Sequence, residues 1–473
     1  MALFPGPTVP SVGRMSPAVT VGTPTSEFCA QLLTAGATPL PPRVARAARR
    51  SLLNVLGTAV GAARTPAIDV LLATAREQDG AGAVAVVGRA ETVDWYWGAL
   101  LAGTAAHLDD FDDTHLATVI HPGAAVLATL LSLAPELEVD GERYLTAFAL
   151  GCESQLRIGN AVSPSHYDRG WHITGTCGVF GTAVAASLLL GLTAEQMEHA
   201  LAIVSTMVLG HREGFGSMTK PFHPGKAAVN GVLAARLAAA GVRGIDDPLG
   251  DGGVLPVFAD VVDRRELGGS FERDWELERN AFKPYPCGIV AHPTIDAAVA
   301  ASGQMDDPAA IESVEITCHP LVPELMGHRQ PRDGLQARFS AYHAAAVGLL
   351  DGQVGLVQFG DDRAVAPDVE RLRGLITLLP TADCARDEAT IRIERAGRDA
   401  VTVHIPHARG SLDRPLTDDE LFDKVDRLAG PVLGPGAARR ISAAVEALAD
   451  APGFDELVAA IRPTSTTEGE ANR

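Results

Sequence analysis

The sequence is poor in the features that mark several large protein classes. Its six cysteines, Cys29, Cys152, Cys177, Cys287, Cys318 and Cys384, never form a C-x-x-C pair. That argues against a zinc site or an iron–sulfur cluster held by local spacing, and reduced, mostly buried thiols in a cytoplasmic protein are the expectation. No uninterrupted apolar run of about 20 residues predicts a membrane span. The first 24 residues carry five prolines and no continuous apolar stretch, so residues 1–25 read as a disordered tail rather than a signal peptide. Positive charge is in deficit: 39 basic against 58 acidic side chains leave a net charge of −19. This disfavours nucleic acid and anionic membranes as partners, both of which need a cationic footprint. It leaves a pocket for a small anion open, because salt screens distant surface charge over about 8 Å. No G-x-S-x-G motif marks a hydrolase nucleophile. The glycines of TGTCGVFG (Gly175, Gly178, Gly181) do not fit G-x-G-x-x-G and follow no strand, so close helix contacts explain them better. HPGKAAVNG has Ala227 where a P-loop needs Ser or Thr.

What is present is an ordinary globular balance, with 47% apolar and 21% charged residues over 473 positions, a length that predicts two domains. From about Ser26 to Val242 the pattern is helix after helix. Among these, DWYWGALLAGTAAHLDDF runs into an acidic stretch, and PGAAVLATLLSLAPEL starts with Pro122 at a first helical position. TAEQMEHALAIVSTMVLG opens on a Thr193/Gln196 capping box. The pattern then changes. SVEITCHPLV alternates like a strand, and ATIRIERAGRDAVTVHI reads as a hairpin, with Ile391 and Ile393 before a Gly-containing turn and Val401, Val403 and Ile405 after it. Helical segments lie among these strands. Helix returns at PLTDDELFDKVDRLAG, with a second capping box, Thr417/Glu420. The expected fold is mainly α: a large helical domain made by both chain ends (26–275 and 409–462), an inserted α+β domain (276–408) and a polar, disordered tail at 463–473.

The densest chemistry lies in HLDDFDDTHLATVIHP, residues 107–122. It holds Asp109, Asp110, Asp112 and Asp113 together with His107, His115 and His121. A metal site, a solvated loop and acid–base chemistry all fit these residue types. The spacing lacks the glycine turn of an EF-hand and the H-E-x-x-H of a zinc protease. Proton-transferring and cationic residues recur at other helix starts and stops: His172, Lys220, His223, Lys283 and His292. Helix N-termini attract anions through their free N–H groups, which favours acid–base chemistry on an anionic substrate.

Five blocks in order, LAGTAAHLDDFDDTH, GWHITGTCGVFGTAVAASLLLGLTAEQ, TKPFHPGKAAVNGVLAA, AFKPYPCG and RPLTDDELFDKV, resemble the MmgE/PrpD family over about residues 27–461. That family comprises 2-methylcitrate dehydratase, cis-aconitate decarboxylase and iminodisuccinate epimerase. The resemblance implies a homodimer with an α+β lid over the helical domain and chemistry without metal or other cofactor. It implies active-site roles for Asp110, Thr114, His121, His172, Lys220 and Lys283 and a lid that helps shape the pocket; His223, His292, Tyr342 and His343 are expected on the substrate. Two positions depart from the family pattern: His343 stands where some members have Tyr, and Gly288 where some have His.

The expected function is a lyase, a dehydratase or decarboxylase of a small di- or tricarboxylate. An epimerase of an amino- or imino-dicarboxylate and a non-catalytic binder are the alternatives. The family chemistry builds negative charge on carbon beside a carboxylate. His121 and His172 would move the proton, Asp110 would orient one of them, Thr114 would bind a carboxylate, and the two lysines would neutralise charge.

Overall fold

The computed structural model describes residues 22–464 except Ser270 and Glu272; the rest of the expected tails, 1–21 and 465–473, lies outside the described residues. Residues expected in the N-terminal tail are in fact ordered from the start of a helix. Thr23 caps Pro24–Gly36, and Thr25 is buried with its hydroxyl on Asp247 at 2.6 Å. Proline at the first helical position is compatible with the helix, which is why a Pro-rich count misplaced this boundary.

The chain is mainly helical, with a small α+β portion. Residues from both ends share one apolar core. Leu52, Val55 and Leu56 of the helix Pro42–Ala62 lie in the same cluster as Leu421 and Val425 of the helix Asp418–Leu433. The central helices Trp95–Leu108, Pro122–Leu133, Ile173–Leu190 and Thr219–Ala239 are buried on almost every side. Small residues allow it: a Cβ on Gly181 would sit 2.5 Å from the carbonyl oxygen of Gly151 on the neighbouring helix. Helix Ile173–Leu190 is long and apolar enough to cross a membrane, yet it is packed inside the protein. Both expected capping boxes form, at Thr193/Gln196 and Thr417/Glu420.

A second apolar core gathers residues between Tyr285 and Val401. Its sheet runs Ile376–Pro380, Ile311–Cys318, Ala389–Arg395, Arg398–Ile405, with the first pair parallel and the others antiparallel. The expected hairpin forms, with Ile391 opposite Val403 and Ile393 opposite Val401. Leu277 and Phe282, which the sequence boundary at 276 assigned to the inserted domain, belong to the first core instead.

A short antiparallel pair matters most for the site. Asp113–His115 pairs with Asn280–Phe282, Thr114 opposite Ala281. It ties the acidic loop to the segment that leads into the second core.

Candidate active site

The helix Trp95–Leu108 ends at the acidic loop, and Asp110 then adopts φ +50°, a left-handed conformation that Asp tolerates better than most residues. This turn aims its carboxylate at two ammonium groups. Oδ1 accepts from Lys220, and Oδ2 accepts from Lys283 at 2.9 Å, while Lys283 also reaches the Asp110 carbonyl at 3.0 Å. All three residues are buried. Burial opposes the charged form of Asp110, but the two ammoniums hold its carboxyl well below the usual range. Burial lowers the Lys220 pKa, and Asp110 works against that shift.

His121 stands at the N-cap of Pro122–Leu133. Its Nδ1 lies 2.9 Å from the Asp113 carbonyl oxygen, 3.1 Å from Thr114 Oγ1 and 3.2 Å from Asp112 Oδ1. A carbonyl oxygen only accepts, so Nδ1 carries the proton and Nε2 is left as the free base. Burial is the main force lowering the His121 pKa, with Asp112 opposing it. The ring is therefore neutral around pH 7. Asp112 also binds His107 Nδ1 at 2.7 Å, and the His107 ring lies against those of His121 and His172 at 4.7 and 5.6 Å.

His172 caps Ile173–Leu190, and its Nδ1 is 2.8 Å from Nδ1 of His223. One nitrogen donates and the other accepts, so the two tautomers are coupled. Burial, reinforced by Lys220, pushes His172 well below its ordinary pKa and His223 down to about 4.

The other acids of the loop hold it in place. Asp113 accepts from Ser51, from Asn280 at 2.5 Å and from the Gly123 N–H at 3.2 Å; burial, with Asp112 nearby, raises its pKa to about 6. His115 meets Glu276 at 3.1 Å. Asp109 pairs at 2.8 Å with Arg338, which comes from the second core. Replacing Arg338 by Met should leave Asp109 buried without its cation and cost about 3 kcal/mol of stability. Denaturant unfolding checks this, and an unchanged midpoint would show that the pair contributes nothing.

Asp110, Thr114, His121, His172, Lys220 and Lys283 all line one cavity of about 50 Å³. The other four predicted residues do not. His223 sits behind His172. His292 lines a neighbouring cavity, with Nε2 3.4 Å from the Cys287 carbonyl. His343 is buried in the second core, where it bonds the Gln358 carbonyl at 2.7 Å and packs on Phe359. Tyr342 lies beneath the Arg329 guanidinium, 4.9 Å from ring to cation. Asp112 rather than Asp110 meets the histidine rings, because both Asp110 oxygens are taken by lysines.

Sequence reasoning missed the apolar wall, Phe215, Ile289, Val290, Leu325, Met326 and Phe339. It also missed Lys424. This buried lysine donates to Asn54 Oδ1 at 2.7 Å, the Phe111 carbonyl at 2.6 Å and the Lys283 carbonyl at 2.9 Å. It locks together the two loops that carry Asp110 and Lys283. A signal existed: the chain has only four lysines, Lys220, Lys226, Lys283 and Lys424. A residue type that the surface avoids so strongly points to the places that need it.

His107, Asp110, Asp112 and His121 bring potential metal-ligand atoms within 4.8 Å of one another. The donor set fits a cation poorly. Asp110 already faces two ammoniums, and the histidine N–H groups are turned toward Asp112 and the Asp113 carbonyl.

Three helix N-termini, an ion triad and paired imidazoles converge under an apolar roof. The fold and site together define a two-core, mainly helical protein whose buried lysines, Asp110 and two histidines share one cavity. Residues 26–262 match the MmgE/PrpD N-terminal domain and residues 285–450 the MmgE/PrpD C-terminal domain. The chain belongs to the MmgE/PrpD family. Its relatives include the cis-aconitate decarboxylase of Mus musculus, 28% identical over 75% of this chain and 76% of the relative. The human cis-aconitate decarboxylase is 27% identical over 80% and 81%, and that of Aspergillus terreus 25% over 88% and 91%.

Proposed function

We propose that the protein is a cofactor-independent lyase, a decarboxylase or dehydratase of a small di- or tricarboxylic acid. The observation that carries this reading is the free Nε2 of His121 in a cavity shared with Lys220, Lys283 and three helix N-termini. Substrate carboxylates take positions that face the ammoniums of Lys220 and Lys283, which line the cavity. In a decarboxylation the bond to the departing carboxyl breaks, CO₂ leaves, and the electron pair spreads onto an adjacent carboxylate beside Lys220 and Lys283. The histidines rest neutral, so one of them first takes up a proton from solvent and then delivers it to carbon. In a dehydration His121 removes the proton first, and the leaving hydroxyl takes one from His172, which shares a proton with His223. Ammonium groups already in place stabilise the enolate-like charge without reorganising as it forms. The relatives named as decarboxylases support the lyase reading, and none of those reported above is an isomerase.

The test is NMR of the full chain in heavy water with a panel of carboxylates that includes cis-aconitate and 2-methylcitrate, with and without a chelator. New alkene or CO₂ that persists with chelator is the expected result. Deuterium exchange with inversion, without either product, would replace the lyase by an epimerase. Loss of activity with chelator and rescue by a divalent ion would overturn the cofactor-free chemistry.

A further inference from the structure

The catalytic cavity has two unlike faces. The helical core supplies a polar floor, whereas Ile289, Val290, Leu325, Met326 and Phe339 form an apolar roof. At Gly288 an added Cβ would stand 2.3 Å from the sulfur of Met326. The thioether thus occupies the space a side chain at 288 would take, and the roof offers no polar group there. The charge on the floor is limited as well, because Asp110 already neutralises one of its two lysines.

A second cavity of about 140 Å³ adjoins the first, and Val119, Ile289 and Val290 line both. Leu116, Leu321 and Leu412 continue its apolar lining. Its charged groups balance in number, with Arg386 and Arg409 against Asp387 and Asp413. Arg409 is also paired with Glu420 at 2.8 Å, and Asp387 with His407 at 2.9 Å. Such a rim does not select an anion.

The partition itself is strained. Val119 has φ +56°, a conformation β-branched residues rarely adopt and one that concentrates at functional sites. Two 2.8 Å hydrogen bonds hold it there, from the Val119 N–H to the His115 carbonyl and from the His115 N–H to the Ile120 carbonyl. The result is an isopropyl group set between the two cavities, on the same loop as Thr114 and His121.

We propose that the second cavity is a subsite for an apolar alkyl arm of the substrate. This rests on the lyase reading and narrows it to 2-alkyl-substituted di- or tricarboxylic acids. The charged head lies over Lys220 and Lys283, and the chain passes Val119 and Ile289 into the second cavity.

Calorimetric titration of the full chain with succinate and 2-methyl-, 2-butyl- and 2-hexylsuccinate tests this without turnover, since these acids carry neither a hydroxyl to lose nor an unsaturated carbon to take the electron pair of a departing carboxylate. Affinity should rise roughly fourfold per methylene and level off once the arm fills the cavity. Ala408 lines only the second cavity, so Ala408→Phe should flatten the series; Leu321→Trp serves the same purpose if that variant does not fold. Affinity independent of chain length, or a gain that survives in a folded variant, would overturn the subsite. Chain-length-dependent binding together with an inert NMR panel would instead sink the lyase and leave the subsite standing.

Discussion

His121→Asn should cut turnover by about 10²- to 10⁴-fold while the protein stays folded. The asparagine amide can occupy the place of the ring Nδ1 and still donate to the Asp113 carbonyl, 2.9 Å from that nitrogen in the native protein. What disappears is Nε2, the only ring atom left free for substrate. In a dehydration, where His121 removes the proton, the native enzyme should also show an acid limb in kcat/KM. Burial has lowered the His121 pKa, so the limb lies below the ordinary histidine value of about 6.5: the base is ready at neutral pH and is lost as protons bind. Asp112 pulls in the opposite direction, so Asp112→Asn should move the limb to still lower pH. Rates across pH, measured on the best substrate from the NMR panel, decide the matter. Near-native turnover in His121→Asn would remove His121 from the proton transfer.

Much of this site is legible along the chain because each functional residue sits next to a local signal. His121 and His172 precede helices whose starts are marked by Pro122 and by the TGT run, and Lys220 opens another. Secondary structure alone places these three at helix N-termini. The two cores are visible too, since the period of the apolar residues changes from helical to alternating between Val242 and Ile316. A helix that runs through small residues, such as Ile173–Leu190, announces that it is buried on all sides.

What stays hidden is which carboxylate meets which cation. Asp110 and Asp112 are chemically identical and two positions apart, yet a single left-handed turn at Asp110 sends one to the lysines and leaves the other to the histidines. No periodicity encodes that turn. His343 and Tyr342 mislead for a related reason: a polar residue near a lid helix serves the lid's own core as readily as the pocket, and the Gln358 carbonyl that claims His343 lies 15 positions further along. The strands Asp113–His115 and Asn280–Phe282 are three residues each, too short for an alternation to register, although they place Lys283 beside Asp110.

That juxtaposition gives the largest expected effect on stability. Asp110→Asn leaves two buried ammoniums 110 and 173 positions away in sequence without their common counter-charge. Removing one partner of a buried ion pair costs about 3 to 5 kcal/mol, and here a single carboxylate serves two cations. The folded pKa of Asp110 lies below its unfolded value of about 3.9, so its stabilisation is fully present above that pH and is lost as pH falls through the depressed folded value. Denaturant unfolding of native and Asp110→Asn protein should therefore diverge most near neutrality and converge in acid. Adding Lys220→Met removes one of the orphaned charges, and the double variant should recover much of the lost stability. It should recover no turnover, because an ammonium that faces the substrate is gone. A double variant that regained both would mean that the triad only holds the loops together, and the negative charge that builds on the substrate would then need another partner than Lys220.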